Sequence, residues 1–432
     1  MQKKLIVIGG GAAGFFCAVN AALKNPELDV TIIEKTSKLL SKVRVSGGGR
    51  CNVTHACFSI AEMIKKYPRG EKFLKQSFHH FFTTDTINWF EQKNIKLKTE
   101  GDGRMFPASN TSETIINCLL QQANKAGIKI LMNCEVIEVE KFQKEDEIEI
   151  EKNILRNGFT LKCKNGAEFG ADFICIASGG YHKKEQFNWL AKLGHTFELP
   201  VPSLFTFNIP HNPVVELMGI TLKDVVVKIK GTKHKQEGPL LITHWGFSGP
   251  VILKLSAFTA KVLSELQYNF SISVNWLPSL NENLVLEKLK FLRNELASQK
   301  IGNRNPFDLP QRFWKYHLQL CGINEEIRWA DLPAKIQNFL AIQLCSQQFH
   351  VKGKTTFKEE FVTAGGIKLN EVNPATMESK IIPQLFFAGE ILDVDGITGG
   401  FNFQHAWTSG WLAADKIASL SKENKFCSKF SQ

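Results

Sequence analysis

Several features that would assign a protein to another class are missing from this chain. No apolar run in its 432 residues reaches the length of a transmembrane helix, so the sequence predicts no segment that spans a bilayer. The ten cysteines form no C-x-x-C pair and have no regular spacing, which argues against a disulfide framework. They indicate reduced, mostly buried thiols of a cytoplasmic protein. His79 and His80 have no metal-ligand spacing with another His or Cys, and we predict no metal site.

The charge of the chain is unbalanced. Its 53 Lys and Arg against 42 Asp and Glu give a formal net charge of +11. A basic excess is typical of proteins that bind nucleic acid or other anions. The basic residues here are mostly Lys spread along the chain. This favours the general amino-acid composition of the source as the cause of the basic excess, with an anionic cofactor and substrate as a second contributor. Nucleic acid stays open as a partner.

The first fourteen residues carry the strongest pattern in the chain. Leu5 to Ile8 form a short β-branched run, as expected for a strand buried in a parallel sheet. The glycines that follow have the spacing G-x-G-x-x-G. Gly9 permits a tight turn, Gly11 lets the backbone approach a pyrophosphate, and Gly14 lets the next helix pack closely on the strand. We predict that helix from Ala12 to about Leu23, with its N-terminus directed at the anion.

The next predicted strand, residues 28–33, ends in a carboxylate. Glu34 stands twenty residues after Gly14, where a carboxylate can bind both ribose hydroxyls of an adenosine and would repel a 2′-phosphate. Lys3 and Lys4 before an apolar stretch also fit a secretory signal peptide. The glycines within that stretch and the strand after it argue against this alternative, so the sequence predicts a dinucleotide site.

A second glycine-rich segment, Ser46-Gly-Gly-Gly-Arg-Cys-Asn52, follows soon after the acidic residue. Lys42, Arg44 and Arg50 accompany its three consecutive glycines, which makes a second place where backbone can approach a phosphate. A flexible surface loop is the alternative. Cys51 has no partner at redox spacing and is predicted to pack near the cofactor.

The later strands complete the pattern. From residue 147 the apolar residues alternate, with strands predicted at 148–150, 159–163 and 167–171 separated by Asn-Gly turns, which predicts a β-meander. An apolar strand at 172–176 then ends in small residues. A last buried strand ends at Gly389-Glu390, where a carboxylate can bind ribityl hydroxyls. The helix that starts near Gly400 can direct its N-terminus at N1 and the C2 carbonyl of a flavin.

The middle of the chain carries no dinucleotide pattern. Residues 195–280 alternate as in a small antiparallel β-barrel or sandwich, and residues 281–347 have helical periodicity. We therefore predict an α/β protein whose dinucleotide-binding domain, residues 1–194 and 348–432, is interrupted by an inserted domain, residues 195–347.

Several motifs together resemble one family. They are the glycine turn at 9–14 and the segments 46–52, 103–110, 238–250, 362–366 and 377–410. This combination, which extends over nearly the whole chain, closely resembles the HI0933-like flavoproteins of the BaiN/RdsA or YhiN type, known as NAD(P)/FAD-dependent oxidoreductases. The resemblance implies FAD and a glutathione-reductase-like FAD-binding Rossmann domain with a β-meander, interrupted by an inserted β-barrel plus helical domain. It implies little about the substrate.

The expected site residues form two groups. Val136 is expected, by position only, to pair with adenine. The catalytic candidates are His244 and Trp245 on an insert loop and His405 one turn into the flavin helix, and each is equally compatible with a structural role. The expected cofactor-binding residues are Gly9, Gly11, Ala12, Ala13, Gly14, Glu34, Lys35, Lys42, Ser46, Gly47, Gly48, Arg50, Cys51, Asn52, Val136, Ala177, Ser178, Gly179, Gly389, Glu390, Gly399, Gly400, Phe401 and Asn402.

Three functions are compatible with these patterns. The first is a cytoplasmic FAD-dependent oxidoreductase that passes hydride or electrons through flavin N5 to or from a small molecule. Because the chain has no second G-x-G-x-x-G for a separate NADPH domain, NAD(P)H would visit the flavin only transiently, or oxygen would be the acceptor. The second is an RNA-modifying flavoenzyme, and the third is a non-enzymatic flavin-binding regulator.

Overall fold

The computed structural model of the protein describes residues 2–142, 158–355 and 362–423. The chain divides into two compact units, which we call unit 1 (Met1–Pro202 with Lys358–Gln432) and unit 2 (Ser203–Phe357). The strand predicted at 148–150 lies outside the described residues. The domain boundaries predicted at 195 and 347 stay a prediction.

The first part of unit 1 alternates strands and helices and ends in a run of strands. Its elements are β1 (Lys4–Ile8), α1 (Ala12–Lys24), β2 (Asp29–Ile33), α2 (Ser41–Gly49), β3 (Thr54–His55), α3 (Ile60–Ile64), α4 (Glu71–Phe78), α5 (Thr83–Glu91), β4 (Leu97–Thr99), β5 (Arg104–Pro107), α6 (Glu113–Lys125), β6 (Lys129–Leu131), β7 (Val136–Phe142), β8 (Gly158–Cys163), β9 (Glu168–Ala171), β10 (Phe173–Ile176), α7 (Asn188–Lys192) and β11 (Phe197–Ser203).

Unit 2 holds a run of antiparallel strands and several helices, after which the chain returns to unit 1. The elements of unit 2 are β12 (Thr206–Asn208), β13 (Thr221–Ile229), β14 (Lys235–Thr243), β15 (Gly246–Ser248), α8 (Pro250–Glu265), β16 (Asn269–Asn275), α9 (Glu282–Glu295), α10 (Gln311–Leu320), α11 (Ala334–Ser346), β17 (Gln347–Lys352) and β18 (Lys354–Thr355). The last elements of unit 1 are β19 (Val362–Ile367), β20 (Leu385–Phe387) and α12 (Phe401–Glu423).

A parallel sheet with the strand order β20-β10-β1-β2-β6 forms the centre of unit 1. Each neighbouring pair in this order runs parallel. From β1 the chain moves to β2 and β6 on one side, and β10 and β20 are added on the other. Ligands of open α/β sheets bind at such a reversal, beyond the carboxyl ends of the strands. The predicted Rossmann-like sheet is therefore confirmed, with the glycine turn at the reversal point.

The packing around β1 explains its sequence. Leu5 to Ile8 are buried, and Leu5 and Val7 have no exposed surface, because the strand has a neighbour on each edge and packs against α1 and β9. α1 packs along α12, and Gly410 permits this contact, since a Cβ there would lie 2.7 Å from the Ala13 carbonyl oxygen. The antiparallel sheet β7-β8-β9 matches the meander predicted over 159–163 and 167–171.

Unit 2 contains the β-barrel expected from the alternation of residues 195–280. Its sheet has the order β17-β16-β13-β14-β15-β12-β18. The two outermost strands, β17 and β18, are consecutive in the chain and are joined at Gly353, so the sheet returns on itself. Gly353 N–H donates to the Tyr268 carbonyl at 2.8 Å, and its own carbonyl accepts from Asn208 N–H at 3.2 Å.

The helical part of unit 2 has a core of its own, which includes Trp314, Trp329 and Leu340. α9 and α11 confirm the helical periodicity predicted for 281–347. α10 was not predicted from the sequence; its apolar residues Phe313, Trp314 and Leu318 form a buried stripe between polar neighbours. α8 begins at Pro250 with Gly249 as its N-cap, because Pro is well suited to the first turn of a helix.

Candidate cofactor site

The glycine turn between β1 and α1 has two kinds of glycine. A Cβ on Gly9 would lie 2.2 Å from the Ala177 carbonyl oxygen, and a Cβ on Gly14 would lie 2.0 Å from the Gly9 carbonyl oxygen. These two positions are required by packing of the protein itself. A Cβ on Gly11 would have no described atom within 4 Å, so Gly11 faces open space. That space is where the sequence predicts a pyrophosphate.

The N-terminus of α1 opens onto the same space. Gly11 is the N-cap and supplies no side chain, so no side-chain cap binds the first N–H groups of the helix. The first turn, at Ala12 and Ala13, contains no acidic residue that would repel an anion. Uncapped N–H groups and the positive end of the helix dipole favour a phosphate at this point.

Glu34 follows β2 and lies beside the glycine turn. Its Oε2 accepts from Gly10 N–H at 2.8 Å, and its Oε1 accepts from both the N–H and the hydroxyl of Thr36 at 2.9 Å. The carboxylate is therefore fixed at the carboxyl end of the strand, where the adenosine ribose is predicted. Lys35, next in the chain, is exposed.

Val136, the predicted adenine neighbour, is close to Glu34 through the backbone. Cys134 N–H donates to the Glu34 carbonyl at 3.0 Å, and β7 begins two residues later at Val136. The structure thus brings these predicted residues to one edge of the sheet, although a contact between Val136 and adenine stays a prediction.

The segment 46–52 is a glycine turn that follows a short helical stretch beginning at Ser41, whereas the sequence left a surface loop as an alternative. α2 extends from Ser41, and Gly47, Gly48 and Gly49 all have positive φ angles of 58°, 67° and 83°. A Cβ on Gly48 or Gly49 would meet no described atom within 4 Å. The turn therefore presents backbone to open space, as a phosphate-binding segment requires.

The side chains after this turn are held by the protein. Arg50 Nη1 donates to Glu100 at 2.5 Å, and its guanidinium lies 4.0 Å from the centre of the Phe106 ring. Cys51 is fully buried, and burial raises the pKa of its thiol to about 12, although a hydrogen bond with Ser46 acts in the opposite direction. A thiol with this pKa is protonated at neutral pH, which agrees with a packing residue rather than a redox thiol.

Glu390 joins four segments of unit 1. Lys42 Nζ lies 2.5 Å from its Oε2, and Thr363 N–H donates to its Oε1 at 2.9 Å. Burial raises the pKa of the Glu390 carboxyl. The charge of Lys42 and the hydrogen bonds from the Thr363 and Gly180 N–H groups lower it by more, so the pKa lies below its ordinary value. Glu390 is therefore ionised at neutral pH. This places a carboxylate at the end of β20, where the sequence predicts a partner for ribityl hydroxyls.

A side-chain hydroxyl next to Glu390 has no hydrogen-bond partner in the described structure. Thr363 Oγ1 is buried, and among the described residues it has no hydrogen-bond partner. Buried hydroxyls are nearly always paired, so this atom fits a site that binds a polar ligand. Gly180 gives it room, because a Cβ there would lie 2.7 Å from Thr363 Oγ1. Ala177 and Ser178 lead to Gly179, which has a φ of +74° and would place a Cβ in open space.

Asn52 and Asn402 fix the start of α12. In the orientation that gives both the oxygen and the nitrogen of its side-chain amide a hydrogen-bond partner, Asn52 accepts from Gly400 N–H at 2.9 Å and donates to the Thr54 carbonyl at 3.0 Å. Asn402 accepts from Gly396 N–H at 2.8 Å and donates to the Gly396 carbonyl at 3.0 Å. The Gly400 N–H and the Asn402 amide are thus engaged within the protein, and their contact with a flavin stays a prediction.

Two residues without a motif support the same turn. His55 stacks on Phe401 with ring centres 4.7 Å apart, and its Nδ1 lies 3.1 Å from the Gly399 carbonyl oxygen. Tyr67 donates its hydroxyl to the Phe401 carbonyl at 2.7 Å. Sequence reasoning missed both, because the residues that they contact are more than 300 positions away.

The three catalytic candidates are divided between the two units. His244 is exposed on the β14–β15 turn of unit 2, and Trp245 donates from Nε1 to Thr206 at 2.9 Å. His405 lies in α12 of unit 1 with Nε2 3.2 Å from the Gly389 carbonyl oxygen. Burial lowers the pKa of His405 to about 4, so its ring is neutral at pH 7. A catalytic function of any of the three stays a prediction.

In the part of the chain that the structure describes, no group of three or more His, Cys, Asp or Glu side chains is arranged to hold a metal ion. Among the same residues, no helix has both the length and the apolar character needed to cross a membrane.

The geometry can be compared with known proteins. The family model for the HI0933-like protein Rossmann domain matches residues 3–416. The chain is 30% identical over 429 residues to the ribosomal RNA dihydrouridine synthase of Escherichia coli (strain K12), a match that covers 96% of this chain and 98% of that protein. It is 26% identical over 427 residues to the 3-dehydro-bile acid delta(4,6)-reductase of Clostridium scindens, with 96% and 99% covered. It is 27% identical over 423 residues to the ribosomal RNA dihydrouridine synthase of Haemophilus influenzae, with 96% and 98% covered.

One solved structure shows a similar fold. The 3-ketosteroid delta1-dehydrogenase from Sterolibacterium denitrificans, in complex with 1,4-androstadiene-3,17-dione, superposes with a TM-score of 0.50 at 12% identity. The match covers 96% of this chain and 99% of that one. At this identity the likeness extends to the fold alone.

Proposed function

Because the chain belongs to the HI0933-like family of FAD-dependent oxidoreductases, we propose that it binds FAD in unit 1 and reduces a carbon–carbon double bond conjugated to a carbonyl group. The observation that carries the FAD assignment is the open space above Gly11, bordered by the uncapped N-terminus of α1 and by Glu34. These groups match the pyrophosphate and the ribose of the cofactor.

Different residues of unit 1 would bind different parts of FAD. Gly11, with the N–H groups of Ala12 and Ala13, would bind the pyrophosphate, and Glu34 would bind the ribose. Glu390, ionised and oriented by Lys42, would accept hydrogen bonds from the ribityl chain. When bound, FAD supplies hydride through flavin N5. The glycine-rich turn before α12 would lie at the flavin end of the site.

The reaction class is supported by two of the similar proteins. Dihydrouridine is uridine with its ring double bond saturated, and that bond is conjugated to a carbonyl group. A delta(4,6)-reductase of a 3-dehydro steroid likewise saturates double bonds conjugated to a ketone. The addition of two hydrogens to such a bond is therefore a reaction that fits the names of both relatives. We propose NAD(P)H as the donor, which would visit the flavin transiently, and a cytoplasmic location.

An anaerobic titration tests this proposal. Purified protein should carry the blue-absorbing flavin band, and NADH or NADPH should bleach it. A conjugated enone added next should restore the band, while the saturated ketone of the same skeleton should not. A folded preparation that neither contains nor binds flavin would overturn the assignment. Flavin that photoreduces but reacts with no nicotinamide and no enone would favour the non-enzymatic regulator.

A second candidate substrate is uridine within ribosomal RNA. Two relatives carry that name, and the net charge of +11 would favour a polyanion. This candidate predicts binding to ribosomal RNA fragments that weakens steeply as salt is raised, and a gain of two hydrogens on a uridine in mass spectrometry. RNA that does not bind at low salt would exclude it and leave a small conjugated carbonyl compound as the substrate.

A further inference from the structure

Two buried cysteines of unit 1 contact each other through their sulfur atoms. Cys134 lies between β6 and β7, and Cys163 is the last residue of β8. Their Sγ atoms are 2.8 Å apart, and the two residues are 5% and 3% exposed. Neither cysteine belongs to the predicted cofactor residues or to a sequence motif, and they are separated by 29 positions in the chain.

The backbone on both sides of this pair is fixed. Lys164 N–H donates to the Glu135 carbonyl at 2.8 Å, which joins the residues that follow each cysteine. Cys163 N–H donates to the Ala167 carbonyl at 2.8 Å, and Cys134 N–H donates to the Glu34 carbonyl at 3.0 Å. A disulfide needs sulfur atoms about 2.0 Å apart, so a small rotation of the side chains would close the gap.

We propose that Cys134 and Cys163 form a reversible redox-modification site, in which a peroxide closes a disulfide and a dithiol reductant opens it. In the first step one sulfur takes an oxygen from hydrogen peroxide and releases water, which leaves a sulfenic acid. The second thiol then displaces that oxygen as a second water. Overall the two thiols lose two electrons and two protons, and one hydrogen peroxide becomes two waters.

The contact with Glu34 gives this site a structural consequence. The disulfide would link the meander strand β8 to the segment whose N–H is bound to the Glu34 carbonyl, at the edge of the sheet where the adenosine end of a dinucleotide is predicted. Burial, and then the contact with Cys134, raise the pKa of the Cys163 thiol to about 12. A thiol in this state is slow to react, so we expect a slow first step and a rapid closing step between neighbours. The inference does not depend on the proposed function.

Peptide mapping of the full chain tests this site. The protein is incubated with excess hydrogen peroxide, denatured, alkylated, digested and analysed by mass spectrometry without reduction. We expect the titratable thiols to fall from ten to eight and a peptide pair joined at Cys134 and Cys163 to appear. Dithiothreitol added to the native oxidised protein should restore ten thiols.

Two variants sharpen the result. Cys134→Ser should keep its nine thiols after peroxide treatment. The control Cys118→Ser, which removes a buried cysteine of α6, should still form the linkage and fall from nine thiols to seven. A wild-type protein whose Cys134 and Cys163 stay unlinked overturns the proposal, whether they are unmodified, overoxidised or bridged to other cysteines. A linkage that native dithiothreitol treatment does not open also overturns it. Because the linkage is read in the wild-type chain, the outcome does not depend on the folding of a variant.

Discussion

The carboxylate of Glu34 accepts a hydrogen bond of 2.8 Å from the backbone N–H of Gly10, which ties the end of β2 to the glycine turn after β1. Two adjacent strand ends are thereby held as one surface. The second oxygen of the carboxylate binds Thr36, so the Glu34 side chain cannot rotate away from the glycine turn without losing its hydrogen bonds to Gly10 and Thr36. A ribose placed above the turn would meet an acceptor whose position is already set.

Replacing this acid should weaken cofactor binding. Glu34→Gln keeps the size of the side chain but loses the charge that strengthens hydrogen bonds to hydroxyl groups. We expect about 1.5–3 kcal/mol less binding free energy, or roughly 10- to 100-fold weaker affinity for FAD. Titration of the apoprotein with FAD, followed by flavin fluorescence, measures this change. Glu168→Gln, at an exposed position of β9, should bind FAD as the wild type does. Equal affinities for both variants would contradict the proposed ribose site.

Two glycines of the same turn should respond differently to alanine. Gly11→Ala adds a methyl group to open space, at a φ of −94° that alanine adopts freely, so the apoprotein should keep its unfolding temperature and lose FAD affinity. Gly14→Ala places its Cβ against the Gly9 carbonyl and should lose about 1–3 kcal/mol of stability. Thermal unfolding of the two apoproteins and FAD titration separate the effects. The interpretation fails if Gly11→Ala unfolds at as low a temperature as Gly14→Ala.

The burial of His405 should make unit 1 sensitive to acid. Its pKa is about 4 in the folded protein, against an ordinary value of 6.5. Between these two values the unfolded chain binds a proton that the folded chain excludes, so stability is complete above pH 6.5 and falls as the pH drops toward 4. This one group should account for a loss of up to about 3 kcal/mol.

Denaturant unfolding at a series of pH values measures this loss. His405→Gln should unfold with a weaker pH dependence than the wild type between pH 6.5 and 4, and His79→Gln, at an exposed position, should follow the wild type. An undiminished pH dependence in His405→Gln would show that acid acts through other groups.

A buried ion pair supports the loop before α12. Arg69 donates two hydrogen bonds to the carboxylate of Asp395, which has no exposed surface. Arg69→Met would leave that charge buried without its guanidinium, and we expect a loss of about 3–5 kcal/mol. Lys65→Met breaks a pair with Glu62 that is exposed on both sides and should leave the unfolding curve unchanged. Chemical denaturation compares the two variants, and similar curves for both would refute the structural importance of the buried pair.

Local sequence patterns predicted much of the fold. The strand, glycine turn, helix and second strand at residues 4–33 follow from apolar periodicity and from glycine spacing, both of which act between near neighbours. α10 was missed although Phe313, Trp314 and Leu318 recur at helical spacing and form one buried stripe, so a local signal for this helix was present in the sequence.

The sequence by itself determined the family, the Rossmann-like sheet and the acid after β2, because each is recognised from short motifs whose residues are near neighbours in the chain. Only the tertiary structure decided which side chains meet at the other end of the site. Lys42 and Glu390 are 348 positions apart, and His55 and Gly399 are 344 apart. No local pattern encodes such pairs, because they form only when the parallel strands bring their carboxyl ends to one edge and α12 packs against α1.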